Sequence, residues 1–382
     1  MKALIIGCGK VGSAAAEDLA KNNASLNVAI ADRDAARAEA VANKIKRKNL
    51  TWTQLDIANR ERTSETLKDF DVILGFLPGN LGYTLIEACI KARKHLVDVS
   101  FMAENPLTLN DKAVRSGVTV VPDCGLAPGI SNILVGHAKA ELDKVNSVNV
   151  MVGGLPEKPE PPLGYVVTWS PESLIDEYMR KARIVKAGRI VEVEALTGLE
   201  EVTLPNVGVL EAFYTDGLRT LLYTMHDVAD MCEKTLRYSG HAEKVKLLKS
   251  LGFFDDEPVR IGDISIAPRR LTARLLERKL VKPEVRDFVA LKVEVAGTRN
   301  GKQTRYVYHM LDWYDDKLGV TAMSRTTAYS ASIVAGLILD GTVAERGVVP
   351  AERIGKDEEA FRKFLNGLKQ RGITITEEIV TF

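Results

Sequence analysis

The chain begins with a short strand pattern that leads directly into a glycine-rich turn, and no other feature constrains the fold as strongly. The mostly apolar residues 2–6 precede Gly7-Cys-Gly-Lys-Val-Gly12, and residues 13–21 have a composition typical of a helix. Asp32 ends the next apolar run, about 20 residues beyond the last glycine. A strand, three spaced glycines, a helix, a second strand and an acid in this order are the fingerprint of a dinucleotide-binding unit.

Each residue type in this motif has a physical reason. Gly7 permits the tight turn, Gly9 lets the pyrophosphate approach the backbone, and Gly12 lets the helix pack on the strand. The free N–H groups at the start of the helix attract phosphate. Asp32 can accept both ribose hydroxyls and would repel a 2′-phosphate, so the sequence predicts NAD rather than NADP. Arg33 is the counterargument, because an arginine here can bind a 2′-phosphate.

Alternating β and α patterns continue to residue 123 and predict a doubly wound parallel sheet, the Rossmann architecture, for residues 1–123. The predicted strands are Lys2–Ile6, Asn27–Ala31, Leu50–Gln54, Val72–Gly75, His95–Asp98 and Thr119–Val121, and the predicted helices are Gly12–Lys21, Ala35–Lys46, Arg60–Lys68, Gly82–Ala92 and Leu109–Ser116. Ligands of such sheets bind at the carboxyl ends of the strands. The further cofactor-binding residues expected there are Lys10 and Val11 in the glycine motif, Asp56, Leu77, Pro78, Ser100, Asp123 and Pro128.

The rest of the chain predicts an α+β substrate domain at 124–322 and a C-terminal segment at 323–382. In the substrate domain we expect strands at Val148–Gly153, Val166–Trp169, Arg189–Val193, Phe288–Ala296 and Thr304–Trp313, and helices at Pro171–Lys181 and Leu218–Cys232. Thr326–Leu339 is a predicted helix that is apolar on most faces, so we expect it to return to the first domain and be buried there. An amphipathic helix at Glu358–Leu368 and a short strand at Ile373–Ile379 follow.

Composition argues against several classes of protein. The 52 basic and 51 acidic side chains leave a formal charge of +1, so nothing favours a nucleic acid or an anionic membrane as partner. Four scattered cysteines without CxxC spacing are typical of reduced thiols in a cytoplasmic protein. The chain starts with a strand rather than a signal peptide, contains no run long enough to span a membrane, and has no cluster with metal-ligand spacing.

Several strings along the chain resemble the saccharopine dehydrogenase-like reductases. They are the glycine motif, Val121-Pro-Asp-Cys-Gly-Leu-Ala-Pro-Gly-Ile-Ser-Asn132, Tyr238-Ser-Gly-His-Ala-Glu-Lys244 and Arg325-Thr-Thr-Ala-Tyr329. Within that family Val152-Gly-Gly-Leu-Pro156 and Arg346-Gly-Val-Val-Pro-Ala-Glu352 resemble the branch of lysine 6-dehydrogenases. The resemblance implies NAD-dependent oxidation of the ε-amine of L-lysine to allysine, which cyclises to piperideine-6-carboxylate. It also implies a homodimer, which we expect to form through the sheet of the middle domain.

The implied reaction needs a base, because an amine with a pKa of roughly 10.4 is protonated at neutral pH. His241 is the candidate, since it lies in a glycine-containing turn ahead of a predicted helix. The alternative is a structural histidine that caps that helix. The other four histidines are expected to be structural.

A lysine substrate also calls for groups that bind its far end. Arg219 and Arg237 are candidates for the α-carboxylate, because a guanidinium matches a carboxylate with two parallel hydrogen bonds. Glu243 or Asp216 could accept from the α-ammonium, and Tyr165 could line the cleft or donate a hydrogen bond. The alternatives are ordinary ion-pair arginines and a half-buried strand aromatic.

Two other functions compete with lysine oxidation. One is a saccharopine-type reductase that acts on a secondary amine, which would need room and a cation for a second dicarboxylic part. The other is a non-catalytic NAD-binding regulator, against which the dense polar residues of 216–244 argue. An assay of NADH formation with a panel of amino acids separates the three.

Overall fold

A computed structural model describes residues 1–282 and 285–382, and their packing divides the chain into two units. The first unit comprises Met1–Asp143, Arg219–Leu221 and Ser324–Ile375, and the second comprises Lys144–Leu218, Leu222–Met323 and Thr376–Phe382. Most of the C-terminal segment therefore belongs to the first unit, together with the N-terminal nucleotide-binding pattern.

Strands and helices alternate in the first part of the chain, and later several strands follow one another without a helix between them. The strands are β1 (Lys2–Ile6), β2 (Asn27–Asp32), β3 (Leu50–Gln54), β4 (Val72–Gly75), β5 (His95–Asp98), β6 (Thr119–Val121), β7 (Lys144–Pro156), β8 (Ala182–Lys186), β9 (Arg189–Val193), β10 (Glu200–Leu204), β11 (Gly208–Tyr214), β12 (Asp230–Tyr238), β13 (Val259–Ile261), β14 (Ile264–Ile266), β15 (Asp287–Arg299), β16 (Lys302–Trp313), β17 (Gly347–Val348) and β18 (Ile375–Thr381). The helices are α1 (Lys10–Asn22), α2 (Ala35–Ile45), α3 (Arg60–Leu67), α4 (Gly79–Ala92), α5 (Asn110–Ser116, after a 3₁₀ turn at Pro106–Leu109), α6 (Ile130–Glu141), α7 (Pro171–Met179), α8 (Leu221–Thr224), α9 (His241–Ser250), α10 (Pro268–Leu280), α11 (Ala322–Leu339), α12 (Ala351–Lys356) and α13 (Glu358–Gln370).

The first unit is built on a parallel sheet in the order β17-β6-β5-β4-β1-β2-β3. Without β17 this is the order of a dinucleotide-binding fold, in which the strand order reverses between β1 and β4. Because helices cover both faces, the inner strands are largely apolar, and Leu4, Ile5, Ile73 and Leu96 are fully buried. The edge strand β3 is mostly exposed. The predicted Rossmann domain is confirmed.

Two pieces of distant sequence complete this unit. β17 pairs with β6 and extends the sheet by one strand. Thr220 lies close to α6 and α12, where its hydroxyl donates to Glu352 Oε2 over 2.9 Å. The helix α6, which the sequence assigned to the second domain, also packs in this unit, in contact with α12. The first unit therefore extends beyond the predicted boundary at residue 123.

The second unit contains a mixed sheet in the order β10-β11-β12-β7-β15-β16-β18, with β8 and β9 joined to β12. Its long hairpin β15–β16 turns at Asn300 and Gly301, which both have positive φ, as a tight two-residue turn requires. The helices α7, α9 and α10 enclose a separate apolar core around Tyr178 and Phe213. The predicted α+β class of this region is confirmed.

Two predicted elements of the second unit are wrong. Val166–Trp169 is not a strand, because this apolar segment is buried as a loop and its Val167 N–H bonds to the carbonyl of Leu280. Leu218–Cys232 is not a long helix: only the short α8 is helical, and β12 begins at Asp230. The reason is non-local, because β12 lies between β7 and β11 in the sheet.

Candidate functional sites in the two units

The glycine motif forms the turn between β1 and α1. A Cβ atom at Gly7 would lie 2.3 Å from the carbonyl oxygen of Phe76, and one at Gly12 would lie 1.9 Å from that of Gly7. These two glycines are therefore required by the packing of the turn itself. A Cβ atom at Gly9 would meet nothing within 4 Å, so the space in front of this residue is open to a ligand. A diphosphate fits such a backbone cradle at a helix N-terminus.

Asp32 holds this turn against the end of β2. Its Oδ2 accepts the N–H of Cys8 over 2.8 Å, and its Oδ1 accepts the N–H of Asp34 over 3.0 Å. The carboxylate is half-buried, and each oxygen retains a further lone pair. Asp32 therefore has capacity left for ribose hydroxyls while it fixes the loop that would hold the phosphates.

The other residues predicted to bind cofactor lie around the same edge of the sheet. Lys10 and Val11 begin α1, and the backbone N–H of Ser13 bonds to the carbonyl of Gly9 over 2.9 Å. The side chain of Lys10 is exposed, and that of Val11 is half-buried.

Four further residues that the sequence predicts to bind the cofactor differ in exposure. Arg33 is exposed directly after β2, and Asp56 is exposed after β3, where its Oδ1 accepts the N–H of Ala58 over 3.0 Å. Leu77 is half-buried and Pro78 is exposed at the start of α4. Their positions at the strand ends are those expected from the sequence, while their contacts with a cofactor stay a prediction.

A buried polar group lies at the ends of β5 and β6. Ser100 donates from its hydroxyl and from its backbone N–H to Oδ1 of Asp98. Burial raises the pKa of Asp98 to about 7, and its Oδ2 has no hydrogen-bond partner among the described residues. The Ser100 hydroxyl is thus already engaged and 2% exposed, so it positions the loop after β5.

The neighbouring Asp123 and Arg219 form a buried ion pair. The Arg219 Nε lies 3.2 Å from Oδ1 and 3.3 Å from Oδ2 of Asp123. The guanidinium carbon also lies 5.4 Å from the ring centre of Phe101. Arg219 Nη2 is buried without a hydrogen-bond partner among the described residues. An unpaired buried donor is costly unless a ligand accepts from it.

Pro128 is half-buried at the turn before α6. Its carbonyl accepts the N–H of Gly125 over 3.0 Å, and Gly129 follows with a φ of 137°. A Cβ atom at Gly129 would lie 2.0 Å from the carbonyl oxygen of Gly125. The Asp-x-Gly-x-Ala-Pro-Gly string is therefore a compact turn, in which glycine is needed for close backbone approach.

The second unit contains a group of buried polar and aromatic side chains, here called the Arg237 cluster: Tyr165, Glu177, Tyr178, Arg237 and His241. Arg237 Nη2 donates to Glu177 Oε1 over 3.0 Å, and the guanidinium carbon lies 4.4 Å from the ring centre of Tyr165. Burial raises the pKa of Glu177, which the charge of Arg237 opposes. Arg237 Nε has no partner among the described residues.

His241 is buried in this cluster with both ring nitrogens engaged. Nδ1 lies 2.9 Å from the carbonyl of Leu163, so it carries the proton, and Nε2 then accepts from the hydroxyl of Tyr178 over 2.8 Å. Burial, together with the charge of Arg237, lowers the pKa of His241 to about 3. This environment is typical of a structural histidine, and it gives the expected general-base role no support.

The alternative role given for His241, capping of the helix, is taken by another residue. Glu211 accepts the N–H of Gly240 over 2.8 Å and the N–H of Ala242 over 2.6 Å, so its carboxylate caps α9. His241 instead contributes to the core, 1% exposed, with its ring 5.5 Å from that of Tyr165.

Two other residues predicted to bind substrate, Glu243 and Asp216, lie outside the Arg237 cluster. Glu243 is exposed in the first turn of α9. Asp216 is 2% exposed and binds Arg183 through two hydrogen bonds of 2.8 and 2.9 Å. Asp216 is therefore already neutralised by an ion pair. Tyr165, within the cluster, is not the half-buried strand aromatic given as its alternative: it lies on a buried loop, where its hydroxyl accepts from Trp169 Nε1 over 3.1 Å. Its contact with a substrate stays a prediction.

Three buried acids were not among the predicted site residues: Asp98, Glu177 and Glu233. Asp98 could have been found, because an acid that directly ends an apolar strand faces the binding edge of a parallel sheet. Glu177 and Glu233 gave no such signal. Glu233 accepts from Thr215, and burial raises its pKa to about 8. Among residues 1–282 and 285–382 no group of acids, cysteines and histidines has metal-binding geometry, and no helix is long and apolar enough to cross a membrane.

Both halves of the sequence match domains of one family. Residues 3–121 match the saccharopine dehydrogenase NADP binding domain, and residues 125–373 match the saccharopine dehydrogenase C-terminal domain. The chain belongs to the saccharopine dehydrogenase family. The resemblance noted in the sequence is thus confirmed at the level of the family.

Individual relatives of this saccharopine dehydrogenase family member differ in length and in the activity for which they are named. Saccharopine dehydrogenase [NADP(+), L-glutamate-forming] from Saccharomyces cerevisiae is 28% identical over 75% of this chain and 66% of its own length. Alpha-aminoadipic semialdehyde synthase from Arabidopsis thaliana is 28% identical over 53% of this chain, which corresponds to only 20% of that protein. The chain therefore spans less than two thirds of these curated relatives. Carboxyaminopropylagmatine dehydrogenase from Synechocystis is 21% identical over 93% of both chains.

The fold of the family is also found in a solved structure. Apo saccharopine dehydrogenase (L-Glu forming) from Saccharomyces cerevisiae superposes with a TM-score of 0.80 at 22% identity and covers 99% of both chains. At this identity the likeness establishes the fold.

Proposed function

We propose that this member of the saccharopine dehydrogenase family oxidises the ε-amine of L-lysine with NAD as the acceptor. The carbon that bears the amine loses a hydride and the nitrogen loses a proton, which gives an imine. Water then adds to the imine, and ammonia leaves to give the aldehyde, allysine. The α-amine condenses with the aldehyde and releases water, which gives piperideine-6-carboxylate.

The observation that carries the proposal is the form of the glycine turn with its acid. The open space at Gly9 and the spare lone pairs of Asp32 suit a diphosphate and an unphosphorylated ribose. When bound, the nicotinamide of such a cofactor accepts the hydride. The negative charge of Asp32 supports NAD, whereas exposed Arg33 and the NADP in the names of the relatives support the alternative.

Arg219 supports an amino-acid substrate. Its Nε is taken by Asp123, and its Nη2 is a buried donor with no partner among the described residues. A substrate carboxylate would supply the missing acceptor, and the pairing would be charge-assisted. In this proposal Arg219→Lys raises the KM for lysine and leaves the Kd for NAD unchanged. A lowered Tm with an unchanged KM in the folded enzyme would instead make Arg219 structural.

The Arg237 cluster has a supporting role in this proposal. His241 and Arg237 are held by Tyr178, Leu163 and Glu177, so they stabilise the second unit rather than take the proton of the amine.

A saccharopine-type activity is the second candidate, and the names of the relatives favour it. One experiment separates the candidates: reduced nicotinamide is measured with L-lysine, saccharopine or carboxyaminopropylagmatine, each with NAD and with NADP. The proposal expects the highest kcat/KM for L-lysine with NAD. A higher value for saccharopine would transfer the assignment to the second candidate, and no turnover with any amine would favour a non-catalytic NAD-binding regulator.

We also propose that the protein is a homodimer that pairs through the sheet of the second unit. One face of β15 and β16 carries half-buried polar residues, among them Lys292, Glu294 and His309. Lys292 and Glu294 form an ion pair of 3.3 Å on this face. Light scattering at micromolar concentration tests the proposal, and a monomeric mass refutes it.

A further inference from the structure

A groove on the helical face of the first unit lies apart from the glycine turn. It is formed by side chains of α3, α4 and α5 and has a volume of about 480 Å³. Ligand pockets commonly have volumes of roughly 300–1,000 Å³. Its size is therefore sufficient for a small organic molecule.

The charge of this groove is strongly one-sided. Arg60, Lys91, Lys112 and Arg115 line it, against the single carboxylate of Glu87. Glu87 approaches only Lys112, at 4.0 Å. The groove thus carries an excess of three positive charges, in a chain whose total formal charge is +1. Such a concentration of one sign attracts anions.

The polar groups of the groove lack partners within the protein. Among the described residues, the side chains of Arg60, Lys91 and Arg115 form no ion pair or hydrogen bond, in contrast to many other cations of the chain. The hydroxyls of Ser64 and Thr84 line the same groove and also have no hydrogen-bond partner among the described residues. Cations and hydroxyls together are the donors that proteins use for phosphate oxygens.

The floor of the groove is apolar. Ile57, Ile90 and Leu109 line it, and each is at most 5% exposed because they belong to the core under α3, α4 and α5. Their small exposed area gives a ligand little apolar surface to cover, so the cations and hydroxyls carry the recognition.

We infer that the groove between α3, α4 and α5 binds a small phosphate-bearing molecule. The cations and hydroxyls take the phosphate, and the remaining volume of the groove accommodates the body of the ligand. This site is separate from the dinucleotide site, which lies at the carboxyl ends of the strands.

Calorimetric titration of the enzyme, already saturated with its preferred dinucleotide, tests this inference. The probes are AMP, inorganic phosphate and adenosine. We expect AMP to bind, and adenosine to bind at least about tenfold more weakly because it lacks the charged group. If inorganic phosphate binds as tightly as AMP, the site is supported and its ligand is free phosphate. Equal binding of AMP and adenosine overturns it, and so does a loss of AMP binding on saturation with the dinucleotide.

Two variants of the same helix provide a matched comparison. Arg60→Glu reverses a charge that lines the groove, and Arg62→Glu reverses an exposed charge on the same turn of α3 that does not line it. Both place an acid in the first turn of a helix, where it is favourable, so both should fold. We expect the Kd for AMP to rise at least about tenfold in Arg60→Glu and to stay within about twofold in Arg62→Glu. Equal effects would show non-specific charge attraction and overturn the inference.

Discussion

Removal of the His241 imidazole should change how stability depends on pH. The pKa of His241 lies at about 3 in the folded chain, against 6.5 for the free side chain. Below pH 6.5 the unfolded chain therefore binds a proton that the folded chain does not, and stability falls as the pH falls. Between pH 8 and pH 5 this loss amounts to about 2 kcal/mol.

The assay is urea unfolding of wild type and His241→Gln at both values of pH. Other groups also titrate. Burial raises the pKa values of Asp98 and Glu233, so their ionisation lowers the free energy of unfolding of the protein as the pH rises. The difference between the two proteins cancels those contributions. We expect wild type to lose about 2 kcal/mol more than the variant on going from pH 8 to pH 5. Equal pH dependence would refute the reasoning, and so would an unchanged stability combined with a kcat lowered by about 10² or more, as for a general base.

Three further predictions concern the glycine turn, its acid and the Arg237 cluster. Gly9→Ala should leave the Tm unchanged and weaken dinucleotide binding at least about tenfold. Gly12→Ala should weaken binding and also cost about 1–3 kcal/mol of stability, because its Cβ atom would lie 1.9 Å from a carbonyl oxygen. Calorimetry measures the binding and thermal unfolding measures the stability. Asp32→Ala should lower the ratio of kcat/KM for NAD to that for NADP at least about tenfold. An unchanged ratio would contradict the proposal that Asp32 selects NAD. Glu177→Gln should lower the free energy of unfolding by about 3–5 kcal/mol in denaturant titrations, because it leaves Arg237 as an uncompensated buried charge; a loss below about 1 kcal/mol would show that the ion pair is not needed.

The nucleotide-binding half could be predicted from sequence almost element by element. The inner strands β1, β2, β4, β5 and β6 are largely buried and stand out as short apolar runs between helix patterns. The edge strand β3 is mostly exposed, and the alternation of strands and helices indicates it instead. The position of the acid at the end of β2 was indicated by its spacing from the glycines, and its role in cofactor binding stays a prediction. Even the extra strand β17, which the sequence did not predict, joins the sheet by the ordinary parallel pairing.

The second unit was less predictable because its elements depend on distant partners. Strand β12 pairs with β7, whose residues lie about 80 positions earlier, and no local pattern announces this. In the first unit the Asp123–Arg219 pair likewise joins residues 96 positions apart, so the sequence did not indicate it. The environment of His241 is made by residues 163, 178 and 213, so its burial and lowered pKa were not visible from the Gly-His motif.

The path of the chain through the two units has a consequence for how the protein can be divided. The backbone passes between them five times, after residues 143, 218, 221, 323 and 375. No single cut, by a protease or by truncation of the gene, releases either unit as one continuous piece. A fragment that ends at residue 143 lacks β17, α12 and the Arg219 guanidinium, and so leaves Asp123 as a buried acid without its counter-ion. Each unit is thus assembled from segments that the other unit separates along the chain, so neither is encoded by one continuous stretch of sequence.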